Sequence, residues 1–98
     1  MYPRVRIYLE RIRNNASIVA GLCAGHALSV TGVTKVVRGD PKIAQAFLDA
    51  GVNKIGDSRV ENLARLKGLD AEKWLIRPPM RSEVAALVEH ADVSLNSE

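Results

Sequence analysis

Polar and apolar residues alternate over Arg4-Val5-Arg6-Ile7-Tyr8-Leu9, the two-residue period of a half-exposed strand. The period then lengthens. Leu9, Ile12, Ala16, Val19 and Cys23 recur at steps of three and four, which predicts a helix over residues 10–24 with one apolar stripe, ending near Gly25. Leu28 to Val37 is rich in Val and Thr and predicts a buried strand. Asp40-Pro41 opens a second helix, with Asp as N-cap and Pro at the first helical position. Its apolar positions are Ile43, Ala44, Phe47 and Leu48, and Gly51 closes it. Lys54 to Asp57 is a short strand; Ser58-Arg59-Val60-Glu61 is a capping box that starts a helix over Val60, Leu63 and Ala64, ending at Gly68. Lys73 to Arg77 predicts a strand broken by Pro78-Pro79, followed by a helix over Val84, Leu87 and Val88 and a strand from Val93 to Asn96. Strand and helix alternate throughout. Such alternation implies parallel strands joined by crossover helices, an α/β fold.

Composition narrows the function classes. At 98 residues the chain has room for one small domain. A hydrophobic share of 47% excludes disorder, and no apolar run approaches the roughly 18 residues of a membrane span. The start, Met1-Tyr2-Pro3-Arg4, lacks the apolar stretch of a signal peptide, and the single Cys23 cannot form an internal disulfide. Both point to the cytoplasm. The net charge of +3 is unevenly spread: residues 1–38 hold six basic residues and one acid, residues 39–98 eight basic and ten acidic. The basic residues near the start lie along a strand and a helix without interleaved aromatics, so a solvated edge is expected rather than a nucleic-acid surface. His26 and His90 sit near predicted helix ends with no partner at metal-ligand spacing, so no metal site is expected. No glycine-rich phosphate loop occurs; Cys23, Phe47 and Trp74 read as packing groups.

The polar residues that remain fall at strand ends. Each predicted strand after the first finishes on a polar or charged group: Lys35, Asp57, Arg77 and Asn96. In barrels and open α/β sheets, ligands bind at the carboxyl ends of strands, so these four define a candidate binding face. Lys35 stands out because Val30-Thr-Gly-Val-Thr-Lys-Val-Val37 is otherwise fit for burial. A lysine there needs a remedy for lost hydration. It either becomes a neutral amine able to attack a carbonyl, or extends its head to water at the strand end.

Tyr2-Pro3-Arg4-Val5, the Val30–Val37 block, Ile55-Gly-Asp-Ser-Arg-Val-Glu-Asn62, Arg77-Pro-Pro-Met80 and Ala91-Asp-Val-Ser-Leu-Asn-Ser-Glu98 together resemble the amino-terminal part of the alanine racemase superfamily. Within it they look most like the ornithine racemase branch of predicted amino-acid racemases. The resemblance implies a (β/α) barrel of the type III fold of pyridoxal 5′-phosphate (PLP) enzymes, with Lys35 as the cofactor lysine and Asp57, Arg77 and Asn96 as further cofactor-binding residues at strand ends. It also implies the chemistry. PLP is held as an imine on Lys35, an incoming amino acid displaces it, and the freed lysine serves as acid/base on one face of Cα. Alanine racemases proper follow the lysine with a loop carrying a tyrosine; here the loop is Val36-Val37-Arg38-Gly39-Asp40, which argues against alanine as the substrate, and the branch resembled implies ornithine or another basic amino acid.

The size then takes on meaning. After the Arg4–Leu9 strand there are four barrel-type strands, against the eight of a barrel of about 250 residues. The expectation is the first half of a (β/α)8 TIM-type barrel, residues 1–98, preceded by one extra strand and helix, with the rest of the barrel and a second domain absent. Asn96-Ser97-Glu98 reads as the cap of a helix that does not follow. Such a piece is expected to self-associate as a homodimer, because a half barrel leaves sheet edges unpaired, and to be inactive by itself, since the second acid/base is missing. The alternative is a non-catalytic protein of PLP homeostasis. The Arg4–Leu9 strand favours the racemase, because two-domain racemases use such a strand to join their second domain.

Overall fold

A computed structural model describes residues 6–95. Four helices and four strands follow one another as α1 (Leu9–Ala24), β1 (Thr31–Val33), α2 (Pro41–Asp49), β2 (Lys54–Asp57), α3 (Val60–Ala64), β3 (Glu72–Leu75), α4 (Val84–His90) and β4 (Val93–Ser94). Single 3-10 turns occupy Lys35–Val37 and Arg81–Glu83. The strands form one sheet in the order β1-β2-β3-β4, every neighbouring pair parallel. The expected α/β class with a parallel sheet is what the chain forms.

Adjacent parallel strands taken in sequence order require right-handed crossovers, and these place α2, α3 and α4 on one face. The register separates the two faces. Gly32, Ile55 and Lys73 align across the strands, and Asp57, Leu75 and Ser94 align one step further on. This is the helix side. Ile55 and Leu75 are fully buried there with Ala44, Val60, Leu63 and Leu66, and Phe47, Leu69, Ala71, Leu87 and Ala91 pack around them. Gly32 is required in that layer: a Cβ would lie 2.6 Å from the Phe47 ring, so a bare backbone lets α2 settle on β1. The opposite face carries Thr31, Val33, Gly56, Trp74 and Val93. No crossover helix covers it. Val33 there is 45% exposed.

Local chemistry explains most boundaries. Asp40 caps α2 by accepting the Lys42 N–H at 2.9 Å, with Pro41 at the first helical position, as the sequence predicts. Gly51 and Gly68 both adopt positive φ in the turns that follow α2 and α3. α1 packs on α2, yet none of its residues is fully buried, and Ile18 and Leu22 are 62% and 65% exposed.

Three expectations are corrected. The strand over Leu28–Val37 shortens to Thr31–Val33, because Thr34 turns the chain: its carbonyl accepts the Val37 and Gly39 N–H groups at 3.1 and 3.0 Å. The Ser58–Glu61 capping box does not form. Asp57, one residue earlier, takes the Arg59 N–H at 2.9 Å, and α3 begins at Val60 with no side-chain cap of its own. The Arg4–Leu9 strand is not found in its described part: Arg6–Tyr8 have no strand structure, Leu9 starts α1, and Arg4 and Val5 lie outside the described residues. Alternation specifies one wet and one dry face but not a partner, and a strand exists only with a partner's backbone.

Candidate active site

The carboxyl ends of β1, β2 and β3 meet through the turns that follow them. At the first, Thr34 leaves β1 with its N–H on Gly56 O at 2.9 Å, which continues the ladder by one bond. Its side chain is fully buried and donates Oγ1–H to Asp57 Oδ2 at 2.8 Å. Asp57, also fully buried, accepts at Oδ1 from Arg59 N and from Asn62 Nδ2, both at 2.9 Å. Thr34, Asp57 and Asn62 are the polar members of the buried set among the described residues, and they form one cluster. A buried carboxylate without hydrogen bonds would cost several kcal/mol; here both oxygens are taken by neutral donors.

Lys35 follows Thr34 directly, in the 3-10 turn, and is exposed. Burial of this lysine, which its apolar neighbours suggested, is therefore corrected: the strand ends before it. Among the described residues its Nζ makes no hydrogen bond or ion pair. The turn closes over Arg38 and Gly39, both at positive φ. Arg38 O accepts from Arg65 Nη1 at 2.6 Å, and a Cβ on Gly39 would stand 2.6 Å from Asn62 O. Both ends of the lysine turn thus rest on the β2–α3 segment.

Arg77 lies just beyond β3 and spans the next gap. Its Nε donates to Ser58 O, and its two terminal nitrogens form a bidentate pair with Glu83 at 3.0 and 2.8 Å. Glu83 also accepts the Met80 N–H at 2.9 Å. These bonds hold the Glu83 carboxyl down at about 2, with the Arg77 hydrogen bond the main cause, and they raise the Arg77 guanidinium above its ordinary value. Ile76 N–H donates to Asp57 O at 3.0 Å, so the turns after β2 and β3 are joined by backbone as well.

Of the four residues chosen from sequence, the structure brings Lys35, Asp57 and Arg77 to the same end of the sheet in three different states. Lys35 has a free amine, Asp57 is sealed on the helix side, and Arg77 is engaged by Glu83. Asn96 lies outside the described residues. Sequence reasoning missed Thr34, Asn62 and Glu83. The signal for Asn62 was its place five residues after Asp57 at the start of a helix; for Glu83 it was the return of an acid one helical turn after Met80. Among the described residues, no group of three or more His, Cys, Asp or Glu is placed to hold a metal, and no helix is long and apolar enough to cross a membrane.

Comparison with known proteins finds two amino-acid racemases similar to this chain. The chain is 37% identical over 100 aligned residues to a lysine racemase of Thermotoga maritima, and 36% identical over 98 to an ornithine racemase of Acetoanaerobium sticklandii. Each match covers all of this chain and 28% of the racemase, so the chain spans little more than a quarter of the length of these curated relatives. No family model matches, and no solved structure does. Along its whole length the chain is similar to these amino-acid racemases.

Proposed function

We propose that this chain is the cofactor-lysine-bearing, amino-terminal part of a PLP-dependent racemase of a basic amino acid, with Lys35 as one of its two acid/base groups. The observation that carries the reading is the coincidence of two facts. The relatives matched along the whole chain are racemases of lysine and ornithine, and the free amine of Lys35 stands at the carboxyl end of β1.

The donor set fits PLP at Lys35. An aldehyde cofactor needs an accessible primary amine, and Lys35 is exposed with its Nζ unpartnered among the described residues. Asp57 and Arg77 are engaged with neighbours, and we assign them to holding the turns beside the cofactor. Bound PLP supplies an electron sink for the pair left at Cα once its proton departs. Lys35 takes that proton on one face of Cα and returns it there; inversion needs a second acid/base on the other face. We assign that group to the part of such racemases that this chain does not span, which leaves the chain inactive alone.

We place the four strands as half of an eight-stranded barrel. Two observations support this: β1 and β4 each have one unpaired edge among the described residues, and Val33, on the face away from the crossover helices, is 45% exposed. The radius of gyration, 14.3 Å, exceeds the roughly 13 Å of a compact domain of this size. The free thiol of Cys23 supports a reducing, cytoplasmic setting. The racemase reading no longer draws on the Arg4–Leu9 strand and rests on the relatives; no observation favours a PLP-homeostasis role.

Reduction with borohydride in the presence of PLP, followed by peptide mass mapping, tests the assignment. The pyridoxyl label is expected on Lys35 ahead of Lys42, Lys54, Lys67 and Lys73. A label spread evenly over these lysines, or absent from Lys35, refutes it.

A further inference from the structure

Thr34, Asp57 and Asn62 do more than fill a buried gap. If stability were all that mattered, apolar groups of the same volume would serve as well or better, since burying a carboxylate costs several kcal/mol before its hydrogen bonds are counted. The cluster's connections suggest another use. It links the residue before Lys35 to the end of β2 and the start of α3. The Lys35 turn is further tied to the same segment by the Gly39 backbone seated on Asn62 and by Arg65 on Arg38 O. Lys35 itself, exposed and unpartnered, has nothing else to set where its stem leaves the backbone.

We propose that Thr34, Asp57 and Asn62 are positioning residues for Lys35: the buried Asp57 carboxylate clamps the turn from Thr34 to Gly39 onto α3 and thereby fixes the root of the lysine side chain. The inference rests on Lys35 being the cofactor lysine, and it changes the part expected for Asp57 from touching the cofactor to holding the residue that does. Thr34 is the coupling atom's owner, since its Oγ1 reaches Asp57 while its carbonyl receives the two N–H groups that close the turn. Fixing that root shortens the search of a long, flexible side chain for a single reactive geometry.

The test uses three variants of the full chain. Thr34→Val keeps the shape and removes the hydroxyl; Thr34→Ser keeps the hydroxyl; Asp57→Asn removes the charge. Two readouts are taken on each: amide hydrogen exchange at Val37 and Gly39 relative to Leu75 in the core, and the share of borohydride-trapped pyridoxyl label on Lys35 relative to the other lysines. Thr34→Val is expected to speed exchange at Val37 and Gly39 by about fivefold, the effect of losing one hydrogen bond worth about 1 kcal/mol, with Leu75 unchanged. It is expected to lower the Lys35 share of label several-fold, and Thr34→Ser is expected to restore both. Exchange and labelling in Thr34→Val equal to the parent, at an equal unfolding midpoint, overturns the proposal. If the parent itself carries no preferential label on Lys35, the cofactor-lysine reading fails, while the exchange readout still decides whether the clamp exists. Asp57→Asn is the stronger perturbation; should it unfold the chain, the Thr34 pair alone decides.

Discussion

The uncovered face of the sheet makes a quantitative prediction about association. The chain exposes 7074 Å2. A compact monomer of 10.7 kDa exposes about 5,500 Å2 by the usual relation of area to mass, so the excess is roughly 1,500 Å2. That excess is larger than the roughly 800 Å2 that each partner buries in a standard interface. A second copy offers what this surface lacks, because among the described residues β1 of one copy and β4 of the other present unpaired parallel edges, and two such pairings would make eight strands. The perturbation is Val33→Lys, which puts a charge on the open face at a position already 45% exposed and so leaves the helix-side core alone. Sedimentation velocity from 1 to 100 μM is the assay. Interfaces of this size hold at micromolar concentrations or tighter, so the parent chain is expected to be dimeric in the upper half of that range, and Val33→Lys to shift the midpoint at least tenfold toward monomer. A parent that sediments as a monomer at every concentration refutes the area argument. A dimer indifferent to Val33→Lys refutes the choice of face.

Three further outcomes follow from the structure. The Arg77–Glu83 pair stabilises the fold wherever Glu83 is ionised in the native state. With the carboxyl held at about 2 against its usual 4.5, that contribution is present above pH 4.5 and is lost as pH falls toward 2; melting temperatures against pH should converge for the parent and Glu83→Gln at the acid end. Leu63→Ala removes a fully buried side chain from the centre of the core and is expected to cost about 2–5 kcal/mol in urea unfolding; a loss below 1 kcal/mol would mean that α3 does not pack as described. Gly39→Ala meets both a positive φ and an Asn62 oxygen 2.6 Å from its Cβ, so it should destabilise by more than the roughly 1 kcal/mol of the left-handed conformation alone, read as a lowered urea midpoint.

Much of the fold was legible because each signal was local. The Asp40-Pro41 start of α2, the Lys54–Asp57 strand and the strand–helix order depend on residues within a few positions of one another, and all are present. What failed depended on distant partners. The Arg4–Leu9 alternation needed a strand to pair with. The Leu28–Val37 run looked uniformly β-forming, and it ends where Thr34, its side chain held by Asp57 more than twenty residues away, turns the chain with its carbonyl. Ser58 lost its capping role to a neighbour whose carboxylate was already anchored. Local patterns state what a segment can do; long-range hydrogen bonds choose among the options.

The same distinction governs the site. Parity placed Ile55 and Asp57 together on one face, and the structure agrees, but the face is the helix side, where Ile55 lies in the core. A polar residue sharing a face with a core isoleucine at the last position of a strand can reach only the layer above it, so Asp57 must find buried donors. Lys35 escapes that constraint because the strand has already ended. A lysine two residues beyond Val33, carried on a turn, keeps its amine in water, while the residue before it bears the cost of burial and the hydroxyl that offsets it. The chemistry and its anchorage are therefore divided between consecutive residues, Thr34 inward and Lys35 outward. A strand continuing to Val37 would have given both residues to the sheet and left the amine no turn to stand on.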